Sequence, residues 1–248
     1  MTEAAAELPA PPEQARAVFG DRFADAVRYA ELLADAGVHR GLIGPREVPR
    51  LWERHLLNCA VLSEVIEQDV SVCDVGSGAG LPGIPLALAR PDLEITLLEP
   101  LLRRTTFLEE AVRLLGLANV TVVRGRAEEM VGKLPPVDVV TARAVAPLER
   151  LAGWGLPLLR PHGEMAVLKG DTAEEELKAA RAALGRLGAV GASVTQVGEG
   201  VVEPLSTVVR VQVGESPGGV RAATRRAKAA RASRAPRGSG SAGGRRRR

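Results

Sequence analysis

Cys73-Asp74-Val75 is the end of a short apolar run that enters a turn crowded with glycine, Gly76-Ser77-Gly78-Ala79-Gly80-Leu81-Pro82-Gly83, and Glu99 closes the next apolar run. Glycines at alternate positions let a backbone approach a ligand in conformations that a side chain forbids. An acidic residue about 20 positions further on, at the tip of a second strand, is placed to accept hydrogen bonds from both hydroxyls of a ribose. Gly76, Gly78 and Gly80 therefore mark, with Glu99, a nucleotide-binding crevice. Leu81 stands where the third glycine of a dinucleotide fingerprint would fall. That spacing suits S-adenosylmethionine better than a nicotinamide dinucleotide.

Other candidates fall at the carboxyl ends of expected strands, which topology gathers along one edge of a sheet. Ala127 and Glu128 follow a third strand after Gly125, where the backbone of a short turn can meet an adenine ring; Glu128 and Glu129 also read as a solvated acidic helix start. Arg143 closes Val137-Asp138-Val139-Val140-Thr141-Ala142, where an arginine either pairs with a carboxylate or faces an anionic ligand. Lys169 either holds an RNA phosphate or snorkels from the rim of the sheet. Arg143 and Lys169 are the two candidates for a catalytic role. His55 suits a core or capping position better than a catalytic one, and Trp52 and Trp154 suit packing better than base stacking.

The elements that must position these residues are legible as periodicity. Phe19, Phe23, Val27, Ala30 and Leu33 recur at helical spacing from 14 to 36, with Gly37 as a stop, and a second helical stretch runs from about 47 to 67. Strands are expected near 71–75, 94–98, 120–124, 137–142 and 163–168. Helices follow near 82–89 and 103–115, the latter presenting Phe107, Leu108, Ala111, Leu114 and Leu115 on one face. Pro147 fits the first turn of another helix, and Thr172 with Glu175 has capping-box spacing. Two β-rich runs, near 190–197 and 207–213, suit a terminal hairpin. Successive strand–helix–strand units require a mainly parallel sheet with helices on both faces, a Rossmann-like α/β fold. The expected division is a flexible N-terminus over 1–12, a helical extension over 13–69, the core over 70–213 and a disordered basic tail over 214–248.

Composition bounds the rest. At 248 residues and 46% hydrophobic the chain can bury a sizeable core, and with 2% aromatics that core must be aliphatic. Nothing resembles a secretion signal or a membrane span, so a cytoplasmic protein without membrane contact is expected. Cys59 and Cys73 offer neither a disulfide framework nor metal-ligand spacing and read as buried thiols; no metal is expected, and the chain is expected to be a monomer. Of the 33 Lys and Arg, eleven lie from Glu215 onward with one acid, leaving 22 basic against 29 acidic side chains before them. Such a tail attaches to phosphate backbones through counterion release without reading sequence. Two absences narrow the chemistry: no Asn-Pro-Pro-Tyr-like motif follows the fourth strand, and neither cysteine lies where a nucleophile for pyrimidine C5 belongs. Guanine N7 has a lone pair ready to attack a sulfonium methyl, with no general base needed.

Taken together, residues 13 to 213 resemble the ribosomal small-subunit methyltransferase G family, also called glucose-inhibited division protein B. The resemblance rests on Trp52-Glu53-Arg54-His55-Leu56, Asp74 to Pro85, Arg103-Arg104 with Phe107-Leu108, Arg143-Ala144 and Leu168-Lys169-Gly170. It implies a class I S-adenosylmethionine-dependent methyltransferase that methylates N7 of the guanosine conventionally numbered 527 in the 530 loop of 16S rRNA, with that RNA or the small ribosomal subunit as partner. It also implies cofactor contacts at Gly76, Leu81, Ala127, Glu128 and Arg143, beside Glu99 at the ribose. The family often has Asp-Ser where this chain has Asn58-Cys59, and the basic tail falls outside the shared region. Two alternatives remain: a nucleotide-dependent oxidoreductase, disfavoured by the missing third glycine, and a non-catalytic RNA-binding or ribosome-assembly protein that retains cofactor binding.

Overall fold

The computed structural model describes residues 7–143 and 146–234, and places the β-rich runs in one seven-stranded sheet. Its strands are β1 (Ser71–Val75), β2 (Glu94–Glu99), β3 (Val120–Arg124), β4 (Val137–Arg143), β5 (Leu159–Lys169), β6 (Ala189–Val197) and β7 (Ser206–Val213), in the spatial order β3-β2-β1-β4-β5-β7-β6. β1 to β5 run parallel, each joined by a helical crossover, as parallel pairing requires. β6 and β7 form the expected hairpin, and β7 enters between β5 and β6 antiparallel to both. The order reverses between β1 and β4, which places a crevice beyond the carboxyl ends of those two strands.

Alternation along the strands supplies two cores. Val72, Ile95, Leu97, Val139 and Leu168 face one side, and Cys73, Leu98, Val140, Val167 and Val209 the other. The first side is covered by α1 (Glu13–Phe19), α2 (Phe23–Leu32), α3 (Asn58–Ala60), α4 (Gly83–Ala89) and α5 (Leu102–Leu114). The second is covered by α6 (Ala127–Met130), α7 (Leu148–Gly155), α8 (Ala173–Arg186) and α9 (Gly219–Arg234). No helix among the described residues is long and apolar enough to cross a membrane.

Several local expectations are corrected. Gly37 does not stop the first helical run: Leu33–Gly37 widens into a π-helix, coiling continues through His39, and Gly41 takes the left-handed turn at φ +65°. The second run is helical but irregular, with Pro49 inside a 3₁₀ segment, Pro45–Arg50, and a π segment over Leu51–Leu57, because proline lacks the N–H that a continuous ladder needs. Leu114 is exposed rather than on the buried face of α5. Thr172 makes no capping bond to the α8 backbone. The body also begins earlier than 13, since Leu8 packs against the core and the Trp52 indole donates to the Pro9 carbonyl at 3.1 Å.

The largest correction is α9, which stands where the sequence predicts disorder. Alanine, arginine and lysine are strong helix formers. Ala222 is buried, and Arg226 donates to the carbonyls of Pro157 and Leu159 at 2.9 and 2.8 Å. A Cβ on Gly132 would lie 2.9 Å from the Ala229 methyl, so the helix backbone sits close against that glycine. A polar average composition conceals this narrow docking stripe. The remainder of the expected tail, 235–248, and residues 1–6 lie outside the described residues.

Gly83 opens α4 with no room for a side chain: a Cβ would fall 2.3 Å from Leu97 Cδ2 and 2.9 Å from Asp74 Oδ2. Gly83→Ala should lower stability by about 1–3 kcal/mol through overpacking. A urea midpoint equal to that of the parent chain would contradict this placement.

Candidate active site

The chain leaves β1 through a turn that lies against the end of β2, with the Gly76 and Ser77 amides both donating to the Leu98 carbonyl at 2.8 and 3.3 Å. Its glycines do different work. Gly78 has φ +58°, and a Cβ there would meet nothing nearer than the Gly76 carbonyl at 3.8 Å, so the turn presents bare backbone on this side. A Cβ on Gly80 would instead collide with Ile84 and the Tyr29 hydroxyl. Two buried carboxylates fix the turn. Asp74 Oδ2 accepts the Gly83 amide at 3.0 Å, while Glu99 Oε2 and Oε1 accept the amides of Gly78 and Leu101, each at 3.0 Å.

A cavity lies on either side of this turn. The smaller, about 320 Å³, is lined by Gly76, Glu99, Leu101, Ala127, Glu128 and Trp154 among others. The larger, about 460 Å³, is lined by Ile43, Glu47, His55, Gly78, Leu81 and Arg143 among others. Gly76 and Arg104 border both, so the two form one crevice across the turn. Every cofactor candidate named from the sequence, Gly76, Gly78, Leu81, Glu99, Ala127, Glu128 and Arg143, is brought to it. A more spacious groove of about 810 Å³ lies near Ser71, Glu94 and Val137, at the opposite ends of the strands, with none of these residues.

Lys169 is not brought there. Its ammonium donates to the Ala146 carbonyl at 2.9 Å and to Glu176 Oε2 at 2.8 Å, so the side chain ties β5 to α8 instead of facing a ligand. Among the described residues Arg143 forms no ion pair with a carboxylate, the structural alternative that its position allowed. It donates to the Arg54 carbonyl at 2.9 Å and to His55 Nδ1 at 2.5 Å while bordering the larger cavity.

The residues missed from the sequence come from segments distant in the chain. His55 is buried, with Nε2 2.7 Å from Glu47 Oε2. Because a guanidinium only donates, Nδ1 must offer its lone pair to Arg143, and Nε2 carries the proton given to Glu47. Burial and then the Arg143 charge push the His55 pKa below its ordinary value, against the opposing pull of Glu47. The hydrogen bond from His55 holds the Glu47 carboxyl below its usual range. Both imidazole nitrogens are thus committed, and His55 positions Arg143. Trp154 lines the smaller cavity with the Arg150 guanidinium 4.9 Å above its ring; the only signal for it was the scarcity of aromatics. Asn58, one of the two residues that depart from the family pattern, turns away to Ser206 Oγ at 2.7 Å.

Burial raises the Asp74 carboxyl to about 7, against the lowering effects of Gly83, Ser77 and Arg143. Among the described residues Asp74 Oδ1, Thr141 Oγ1 and Arg104 Nε are buried polar atoms without a partner, and Thr141 stands opposite Asp74 in the β1–β4 register. Burial also lifts the Cys59 and Cys73 thiols to about 11 and about 12, which leaves them inert as nucleophiles.

Comparison with known proteins gives a consistent result. The model of the rRNA small subunit methyltransferase G family matches residues 22–204. The chain is 80% identical over 234 residues to a ribosomal RNA small subunit methyltransferase G of Streptomyces avermitilis, covering 94% of this chain and 98% of that one. A protein of the same name from Thermobifida fusca is 62% identical over 203 residues, covering 82% of this chain and 85% of the relative. Among solved structures, M. jannaschii TYW2 in complex with AdoMet shares the fold at 16% identity and a TM-score of 0.52, over 66% of this chain and 78% of that one.

Folded Asp74 holds its proton up to about pH 7, whereas the ordinary carboxyl loses it near 3.8. A raised folded pKa gives a contribution that is fully present below the unfolded value and lost as pH rises through the folded one. Between about pH 5 and about pH 7.5 the urea midpoint of the parent chain should therefore fall more than that of Asp74→Asn. Parallel changes in the two proteins would show that Asp74 does not titrate in this window.

Proposed function

Because the chain belongs to the ribosomal RNA small subunit methyltransferase G family, we propose that it transfers a methyl group from S-adenosylmethionine to N7 of the guanosine conventionally numbered 527 in the 530 loop of 16S rRNA. The observation that carries the reading is the crevice divided by the Gly76–Gly78 backbone, with a buried carboxylate on one side and Arg143 on the other. A carboxylate offers about four acceptor sites, so Glu99 can take ribose hydroxyls in addition to its two amides. Ala127, Glu128 and Trp154 form the wall against which an adenine ring fits. Arg104, with its unpartnered Nε, borders both cavities and suits the amino-acid end of the same molecule. When bound, S-adenosylmethionine supplies an electrophilic methyl on a sulfonium centre.

What the chain itself must do is align. Guanine N7 attacks with its own lone pair, so holding nitrogen, methyl and sulfur in line removes the entropy of encounter in advance. The larger cavity agrees with that demand: both His55 nitrogens are engaged, and Asp74 borders neither cavity. Glu47 and His55 hold the Arg143 guanidinium at the wall, where it can orient the cofactor or the base. Arg104, Arg126 and Arg143 line the crevice, and exposed Arg46, Arg50 and Arg103 lie close in sequence to lining residues, a positive charge of the kind that a phosphate backbone requires.

Mapping N7-methylguanosine in 16S rRNA from cells with and without this chain should show the mark at position 527 in the first and its loss in the second; an unchanged mark would refute the assignment. Glu99→Ala should weaken S-adenosylmethionine binding by about 10- to 100-fold, the cost of losing charge-assisted hydrogen bonds. Calorimetry on the folded variant showing unaltered affinity would remove Glu99 from the ribose site.

A further inference from the structure

Arg124 ends β3, and Arg126 follows on the turn that carries Ala127 and Glu128 into the smaller cavity. α9 crosses this turn. The Arg225 guanidinium donates to the Glu128 carbonyl, and the helix backbone lies within 3.3 Å of where a Gly132 Cβ would stand. Ala222, Arg226 and Ala229 share the side that docks, through burial, carbonyl contacts and close approach. Arg225 and Lys228, three residues apart, lie along a neighbouring side of the same helix.

Some surface cations are held in ion pairs. Arg40 is neutralised by Glu110, Arg90 by Asp92 and Arg160 by Asp138. Exposed Arg124, Arg126 and Lys228 form no ion pair among the described residues, although Glu129 is exposed nearby and Glu128 turns toward the cavity. Cations left without an ion-pair partner on two elements that pack together attract a polyanion laid across them. From these contacts we infer that the β3–α6 turn and α9 form a docking strip for the phosphate backbone of the RNA substrate, fixed beside the cofactor crevice. The inference rests on the rRNA reading above and adds a place to it: α9 is held at a set distance from the site, so it registers the RNA on the protein.

The test replaces Arg124 and Lys228, neither of which borders the crevice, and leaves the α9 anchors untouched. Arg124→Gln/Lys228→Gln should bind a transcribed 16S rRNA hairpin carrying the 530 loop about tenfold more weakly at low salt, and its salt slope should fall by about 2, near one unit per phosphate contact. Arg124→Lys/Lys228→Arg should restore both, and unchanged S-adenosylmethionine affinity by calorimetry reports an intact fold. Equal affinity and slope in parent chain and Gln variant overturn the strip, as does loss of binding to anionic phospholipid vesicles with RNA binding unaffected. A parent chain that binds the hairpin through these residues, while 16S rRNA keeps the same N7-methylguanosine map in cells with and without it, refutes the catalytic reading and leaves the strip standing.

Discussion

The hydrogen bond from the Gly78 amide to the Glu99 carboxylate joins the turn after β1 to the end of β2, and the crevice depends on it. A turn with bare backbone on its ligand side has few neighbours to satisfy its amides. Buried acidic side chains supply that acceptor from below, where water is excluded and an unmade hydrogen bond is costly. Glu99 is 1% exposed and also holds Leu101, so one side chain sets the turn, the start of the β2–α5 connection and the wall of the smaller cavity. Asp74 performs the matching task at the far end of the turn through Gly83. Glycine at 83 is then required because the carboxylate and Leu97 already fill the space.

The N-terminal layer completes the site rather than merely covering the sheet. Its irregular helical segment carries Glu47, Arg54 and His55 to the carboxyl end of β4, where all three meet or face Arg143. Regular helix would not deliver these groups from 45 to 57 in this way, and the Pro49 interruption and the π segment alter the periodicity over that stretch. The Tyr29 hydroxyl reaches the Ala79 carbonyl at 2.8 Å, so the first helical run braces the glycine turn as well. Layer and turn are coupled through buried hydrogen bonds, each costly to leave unmade.

Charge is distributed with the same economy of position. The first 214 residues are net acidic, yet arginines gather around the crevice mouth and along the turn that α9 crosses. Three acidic side chains face inward, Glu99 and Asp74 beneath the turn and Glu128 at the cavity wall, while Glu53 and Glu129 stay exposed. The exposed arginines are what an anionic partner would meet, while buried Glu99 and Asp74 accept backbone amides.

The strands and their parallel run, the glycine turn, and the placing of Glu99, Ala127, Glu128 and Arg143 at one edge were legible in the sequence because strand periodicity and turn chemistry are local, and parallel crossovers collect strand ends at one edge. Family resemblance added the chemistry to those positions. Tertiary structure alone decided what each side chain reached. Lys169 has the type and position of an RNA-facing residue, but Glu176 lies one helix away and takes it. His55 and Glu47 join the site only because the N-terminal layer folds over β4, a contact that spans 88 residues for His55 and Arg143. α9 escaped notice for a related reason: its composition is polar on average, and only the surface waiting at Gly132, Pro157 and Leu159 makes its alanine side a buried one. Local order is written in local spacing, whereas partnership between distant side chains depends on packing that no window of sequence contains.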